Sequence, residues 1–559
     1  MSLPLAVCDV HGRRITNSDL QKAKRINILA GALGMMWVGM TLSMPLTMFM
    51  EAIGSSGVLI GLITTVRLMT MLVQIPSAAL SENIGARKPF WAPLAMIHRA
   101  LWFGMAILAM LWTPEARWIA PAAVVLVGLS DLLGQAGAAS WFSWMTDLIP
   151  IKGSGRFWGV RQSVVTAASL VGVALAGWLL DAERGHSGTR PTAAFAVVFA
   201  LAAVLGLADI VVHLWVKEPK PEPADRRESL GNRLLAPLRL AAFRRFTLAL
   251  GLWSFGAAMV GTFGIVYLKR AFPVSYSHIA ALAIAGALGS VVTSYLFGHL
   301  IDRLGARVFG AMVFIAAPLT FAGWFFIRPA MIAVGPWTLP QSVVVLAATS
   351  FVGGSLFSAV ALCQMGLLGV LAPGSGRTMA MAIHWSLIGL LAAMGPVLGG
   401  FIMDRFSDLA LAWTLPSGTV FSFFHGQIVI FAIIVWAGAL PVWMKIETPE
   451  AELPFGTAVS RLVLLNPLQA VRNFYNLQII SAQTTRDVRA RAVRKLGVSR
   501  SELAVPDLAS KLDDPSFAVQ EEAIEALGAI GTSDAVDALL GKLQAAEVEL
   551  APQIARALR

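Results

Sequence analysis

The sequence predicts an all-α, polytopic membrane protein of twelve transmembrane helices in two six-helix halves, followed by a small cytoplasmic α-solenoid. Three observations carry that reading. The 559 residues are 57% hydrophobic and only 13% charged, whereas soluble domains carry about 25% charged residues. A short charged cassette is written twice, each time between two long apolar runs. The C-terminal end repeats an apolar pattern with a period of 31 residues.

The spans come first. A hydrocarbon core roughly 30 Å thick needs about 20 apolar residues in a helix. Twelve such runs occur: 26–50, 58–80, 90–112, 118–145, 160–180 and 191–216, then 246–268, 279–300, 308–326, 343–371, 379–403 and 424–442. They are continuous and rich in Leu, Ala, Gly and Met, without the alternation of barrel strands. The expected organisation is an N-terminal segment (1–25), a first bundle (26–216), a middle loop (217–245), a second bundle (246–445), an amphipathic linker (446–482) and the repeats (483–559).

The net charge of +11 reads as topology. Lys and Arg crowd the N-terminal segment (Arg13, Arg14, Lys22, Lys24, Arg25) and the connections after the even-numbered spans. The middle connection alone holds Lys217, Lys220, Arg226, Arg227, Arg233, Arg239, Arg244 and Arg245. This positive-inside bias puts both termini in the cytoplasm, with the plasma or inner membrane as the location, and needs no nucleic-acid partner. The first 25 residues lack an apolar core with a cleavage site, so the first span itself is the expected targeting signal. Cys8 and Cys363 are too few for a disulfide framework or a metal site.

The second cassette is Gly298-x-x-x-Asp302-x-x-Gly305-x-Arg307; the first is Ala78-x-x-x-Glu82-x-x-Gly85-x-Arg87-Lys88. Two further landmarks repeat in the same order. Gly153-Ser154-Gly155-Arg156 is matched by Gly374-Ser375-Gly376-Arg377, and Gly172, Gly177 and Asp181 are matched by Gly395, Gly400 and Asp404. The offsets lie between 220 and 223 residues. Parallel repeats place a binding site where the halves meet.

Over roughly 26–445 the chain resembles the major facilitator superfamily. The cassette is similar to that family's signature loop, and Gly395-Pro396-x-x-Gly399-Gly400 to its glycine–proline patterns. The usual strengths are reversed, since Ala78 and Glu82 replace Gly and Asp in the first half. The resemblance implies a conformational latch: the cassette acid holds the start of helix eleven, and the cassette arginine pairs with an acid at the end of helix four. Those roles fall to Glu82 and Arg87, with Lys88 beside them and Asp147 as the partner. In the second half, Asp302 is expected to face the start of helix five near Arg156, with Arg377 as the counterpart of Arg156. Arg307 has no matching acid, because Leu368 stands near the expected position. Gly298 and Gly305, with Gly85, are expected to allow close packing and a tight turn.

Charges inside the membrane are functional candidates by default, since each costs a few kcal/mol unless paired or hydrated. Arg67 lies mid-helix in the second span, Asp131 in the fourth and His98-Arg99 in the third. A rise of about 1.5 Å per residue puts Arg67 and Asp131 at similar depth. In the superfamily the fourth helix lines the cavity, the second flanks it and the third is peripheral. Arg67 is then expected as a substrate or gating cation and Asp131 as its counter-ion or a proton site. The alternative is a permanent structural pair of Asp131 with Arg67 or Arg99. Gln74, Gln135, Gln162 and Gln364 either hydrogen-bond a solute or join helices. His384, the only titratable group deep in the second half, reads as a pathway residue or a bonded core histidine. Asp209 and His213 read as interfacial, and Trp141, Trp144 and Trp158 as an aromatic belt.

Beyond Lys445 a stretch with Val459, Leu462, Leu465, Leu468, Val471, Phe474 and Leu477 shows one apolar face. It suits either the membrane surface or a connecting helix. Then Val488, Ala492, Val493, Leu496 and Gly497 recur as Val519, Ala523, Ile524, Leu527 and Gly528, and a third copy begins at Leu550. These resemble short HEAT repeats, which bury a shared seam by stacking. They serve either a cytoplasmic partner or as a cap.

No phosphate-binding loop, metal spacing or nucleophile motif is present, so neither an enzyme nor a cofactor is expected. The functional expectation is a secondary transporter that moves a small solute by alternating access, coupled to protons. The alternative is a non-transporting membrane receptor or scaffold signalling through the repeats.

Overall fold

The computed structural model describes residues 8–10, 12–83, 87–148, 155–184, 192–220, 236–371, 377–406, 414, 418, 420–448, 454–457, 476, 479–480, 485–500, 504–544 and 550–558. Twelve helices among them are long and apolar enough to cross a membrane. They are Asn17–Ala52, Gly57–Ser77, Lys88–Leu111, Ile119–Ala138, Arg161–Ala182 and Ala193–His213, then Ala241–Ala271, Tyr276–Ser294, Ala306–Phe325, Gln341–Leu368, Ala380–Phe406 and Phe423–Met444. Numbered in that order, they correspond one to one with the apolar runs. The protein is an integral, multi-pass membrane protein.

Helix ends depart from hydropathy where local chemistry sets them. The first helix starts at Asn17 because Thr16 and Asp19 form a capping box: the Asp19 amide donates to Thr16 Oγ1 and the Thr16 amide to Asp19 Oδ2, satisfying two otherwise orphan donors. The second span tightens to a 3₁₀ turn over Thr70–Val73, just past Arg67. The twelfth carries a π segment over Ile434–Ala439. Hydropathy did not foresee a short antiparallel hairpin after the ninth span, Met331–Val334 on Trp337–Pro340, turned by Gly335 at φ +60°.

The third sequence landmark is explained by packing. In span five, a Cβ on Gly172 would lie 2.5 Å from the Met36 carbonyl of span one, and one on Gly177 would lie 2.9 Å from Ala280 of span eight. In span eleven, Gly395 abuts the Phe255 carbonyl of span seven, and Gly400 the Gly57 carbonyl of span two. The glycines let backbones touch, and they do so in corresponding places in the two halves.

Two compact units are separable: Met1–Gly298 with Phe309–Ala451, and His299–Val308 with Glu452–Arg559. In the second unit, helices Arg486–Val498, Val505–Ser510, Phe517–Ile530, Ser533–Gln544 and Ala551–Ala557 enclose a core of Val493, Leu496, Leu508, Val519, Ile524, Leu527 and Ile554. The repeated glycine is where each helix receives the next. A Cβ on Gly497 would lie 2.7 Å from Ala526, and one on Gly528 2.8 Å from Ala557. The apolar linker positions 459–477 named above lie outside the described residues, as do Arg226, Arg227 and Arg233.

Asp514 ties the first repeat to the second. Its side chain, 4% exposed, accepts from Arg489 Nη2 at 3.0 Å and from the Ser516 amide at 3.0 Å. Burial raises its pKa, but the hydrogen bonds and charge of Arg489 and the Ser516 amide outweigh that and hold it below the ordinary value. A depressed folded pKa adds stability that is complete above the unfolded value near 3.9 and is lost as pH falls through the folded value. Asp514→Asn should therefore lower repeat stability at pH 7 by about 1.5–3 kcal/mol, the worth of charged hydrogen bonds, and remove this carboxylate's share of the acid sensitivity. Hydrogen exchange of the Phe517–Ile530 amides in the full-length chain measures it; unchanged protection at pH 7 contradicts it.

Candidate functional site

Charges held in a bundle interior must be compensated locally, and the first half shows how. Arg67 Nε donates to Asp131 Oδ2 at 2.9 Å, with the arginine side chain 24% and the aspartate 9% exposed. Farther along the same helices, Gln74 Nε2 donates to Gln135 Oε1 at 2.5 Å. A second pair joins spans three and six: Arg99 Nη2 to Asp209 Oδ2 at 3.3 Å. The Arg99 guanidinium also sits 3.6 Å above the Trp37 ring, a favourable cation–π contact. Two glycines make room for it. A Cβ on Gly34 would fall 2.5 Å from Asp209 Oδ2, and one on Gly206 2.7 Å from Arg99 Cδ.

The histidines here are neutral by hydrogen-bond logic. His98 Nδ1 lies 2.7 Å from the Ser130 carbonyl, an acceptor, while its Nε2 lies 3.3 Å from Arg99 Nη1, a donor. The ring therefore carries its single proton on Nδ1. His213 Nε2 accepts from the indole N–H of Trp141 at 3.1 Å, which leaves that nitrogen unprotonated. Arg161 Nε donates to Asn27 Oδ1, and Asn27 Nδ2 reaches Met145 Sδ at 3.1 Å. His98, Trp141 and His213 line a cavity of about 370 Å³ whose charged walls are Arg67, Arg99, Arg161, Asp131 and Asp209.

A second cavity, of about 530 Å³, lies largely in the second half and differs in kind. Its walls include Gly261, Gly286, Gly353, Thr320 and Phe357, and no charged side chain. The charge is concentrated in the first half.

The structure brings Arg67, Asp131 and Gln135 together in the polar cavity and bonds Gln74 to Gln135. Gln162 is exposed, bonds Thr166 on its own helix at 3.3 Å and lines neither cavity. Gln364 and His384 form a separate knot in the second half. His384 is fully buried, bonded to Gln364 at 3.0 Å and Thr247 at 2.9 Å, and stacked on Phe246 at 4.6 Å, the arrangement of a bonded core histidine. Three expectations need correction. Asp209 and His213 face the polar cavity, where Arg99 and Trp141 compensate them, and are not interfacial. Span three contributes His98 and Arg99 and is not peripheral here. Trp141 lines the cavity and Trp144 is fully buried, donating to the Lys217 carbonyl at 3.1 Å, so neither belongs to a belt.

At the cassettes, Gly305 makes the tight turn at φ +87°, and among the described residues no atom lies within 4 Å of a Cβ on Gly298. Gly85, Gly153, Ser154 and Gly374–Gly376 lie outside the described residues, as do the side chains of Glu82, Asp147, Trp158, Asp302 and of Arg156 and Arg377. Sequence reading missed Glu218. Its carboxylate accepts from the Arg87 amide and from the Lys88 amide at 3.1 Å, capping the start of span three, where a carboxylate is favoured. Lys88 Nζ donates in turn to the Leu214 and Val216 carbonyls at the end of span six. The readable signal was an acid next to Lys217 at the start of a basic connection.

The opposite ends of the spans hold the two halves together. Asp404, ending span eleven, accepts from the amides of Gly57 at 2.5 Å and Val58 at 2.9 Å at the start of span two. Asp181, ending span five, accepts from the amides of Tyr276 at 2.9 Å and Ser277 at 2.7 Å at the start of span eight. Arg270 grips Glu51 with both Nε, at 2.5 Å, and Nη2, at 2.9 Å. Each contact crosses between the halves.

Residues 26–361 match the family described as Major Facilitator Superfamily, and residues 476–559 match HEAT repeats. A curated relative, the uncharacterized MFS-type transporter YuxJ of Bacillus subtilis (strain 168), is 27% identical over 290 residues, covering 50% of this chain and 67% of that protein. Among solved structures, a mutant of the nucleoside transporter NupG aligns with a TM-score of 0.57 at 13% identity, over 76% of this chain and 98% of that one. A D-xylose-proton symporter aligns with a TM-score of 0.54 at 15% identity, over 77% and 99%. These likenesses concern the fold.

Neutralising the capping acids should loosen the joined ends. A carboxylate at a helix N-terminus contributes about 0.3–1 kcal/mol, and up to ~2 when partly buried. Asp404→Asn or Asp181→Asn should raise thiol labelling of a cysteine placed at Val58 several-fold, and the double substitution by roughly the product. Cys8 and Cys363 are replaced first. Labelling of the double variant at the parent rate would exclude a clasp.

Proposed function

The chain belongs to the Major Facilitator Superfamily, and on that footing we propose that it is a secondary transporter moving a small solute by alternating access, coupled to protons. The observation that carries this reading is the Arg67–Asp131 pair, which lines a cavity of about 370 Å³ inside the first half. A pair with no task beyond stability is readily replaced by apolar residues; one that borders a cavity is placed to exchange partners. Asp131 is the proton site in this scheme, and Arg67 the cation that protonation releases. Gln135 and Gln74 adjoin the pair and are suited to orient a bound solute.

The cassettes and both termini face the cytoplasm in this reading, following the positive-inside bias. Asp404, Asp181 and the Arg270–Glu51 pair then close the external side, as an inward-facing state requires. Glu82 and Arg87 act at the cytoplasmic end as the opposing latch, with Glu218 fixing the Arg87–Lys88 backbone at the start of span three. The HEAT repeats offer a surface to a cytoplasmic protein.

A thermal-shift screen against metabolites finds ligands, and flux of the hits into vesicles then tests the scheme. Asp131→Asn should keep ligand binding and uncouple flux from the pH gradient. Arg67→Ala should weaken binding and leave a buried unpaired carboxylate, with low expression. If the pair is only scaffolding, Arg67→Gln with Asp131→Asn transports like wild type with unchanged pH dependence, and the assignment falls. Binding without flux in the wild type would favour a receptor instead.

Glu82→Ala and Arg87→Ala should fold and bind ligand normally while transporting much more slowly. Wild-type flux in both would remove the cassette from the switch.

A further inference from the structure

We infer that the solute recognised by the polar cavity is an organic carboxylate with an apolar body, held by Arg67; this rests on the reading of that cavity as the transport site. Charge is the first support. The lining holds three guanidinium groups and two carboxylates, and the hydrogen bonds of His98 and His213 keep both rings neutral. The cavity lining therefore carries one positive charge in excess, which favours an anion over a neutral or cationic solute.

Unused donors are the second support. Arg67 spends only Nε on Asp131; Nη1 and Nη2 donate to no acceptor among the described residues, and the residue lines the cavity. That fork matches the spacing of a carboxylate's two oxygens. Arg99 Nε and Trp37 Nε1 are buried without a hydrogen-bond partner, and both residues also line the cavity. No lining side chain contributes a buried acceptor left unpaired. A site whose fully buried unpaired groups are donors, beside an excess of positive charge, selects an anion over an amine.

The remaining wall, with Trp37, Trp91, Trp141, Met35, Val38 and Ile210, is aromatic and aliphatic, so the rest of the solute is apolar. Its volume, about 370 Å³, lies at the small end of ordinary ligand pockets. Coupling then balances without extra charge. A proton binds Asp131 and ends its pairing with Arg67 Nε, and the substrate carboxylate replaces it as counter-ion. One proton and one carboxylate cross together, so the loaded site moves no net charge beyond that of the empty one.

The test uses the full-length protein in detergent, with benzoate and hexanoate as probes and benzamide and hexanamide as matched neutral controls. The carboxylates should bind the wild type at least about tenfold more tightly than their amides, the worth of one charge-assisted bidentate contact. Arg67→Gln should abolish that preference. Because this variant leaves Asp131 without its partner, Arg67→Gln with Asp131→Asn is the second test; it should fold and show equal, weak affinity for acid and amide. In vesicles, carboxylate flux should respond to the pH gradient and not to an imposed membrane potential. Equal affinity of the wild type for acids and amides overturns the inference, as does a preference that survives in the double variant. A neutral solute that binds and is transported while the carboxylates do neither also overturns it, and leaves the transporter reading intact. Carboxylates that bind through Arg67 but never cross uphold the recognition and remove the transport reading.

Discussion

A charge in the interior of an apolar bundle persists only when another group compensates it, and that constraint organises the first half of this protein. Spans two and four share Arg67 with Asp131; spans three and six share Arg99 with Asp209. Spans one and five join through Asn27 and Arg161. All six helices of the half thus contribute to one polar lining, and the glycines at 34 and 206 exist where that lining needs space. The second half, among its described residues, solves the same packing problem without buried charge, through hydroxyls, glycines and stacked aromatic rings. Duplication kept the scaffold and let the chemistry diverge.

What duplication preserved most faithfully is the contact between the halves. In each, two glycines bring one helix against its neighbours and an aspartate then meets the bare amides that begin a helix of the other half. Such a contact is strong in place and costs little to release to water, because both the carboxylate and the amides are readily hydrated at a membrane surface. It suits an interface that must open repeatedly.

Much of this was legible in the letters. The twelve spans follow from hydropathy, and counting residues along spans two and four put Arg67 and Asp131 at one depth before any contact was visible. The repeat period placed Gly497 and Gly528 as equivalents. Asp181 and Asp404 stood out as a repeated landmark, but their partners are backbone amides, which no side-chain pattern records. Helix-end position makes Asp209 and His213 read as interfacial, and family habit makes span three peripheral although Arg99 lies at mid-depth; the pairing that brings them inward depends on how spans three and six face each other. Trp144 was misplaced for a similar reason: a tryptophan near a span end reads as interfacial until the Lys217 carbonyl is seen to take its N–H. Glu218 was hidden by the basic residues around it.

The central claim is that the cavity beside Arg67 and Asp131 exchanges a proton and a solute together. The most direct measurement imposes a gradient of a bound solute across vesicles at equal pH on both sides and follows luminal pH. The account predicts that solute entry acidifies the lumen in the wild type, and that Asp131→Asn abolishes the acidification. Solute entry with no change in luminal pH would contradict it.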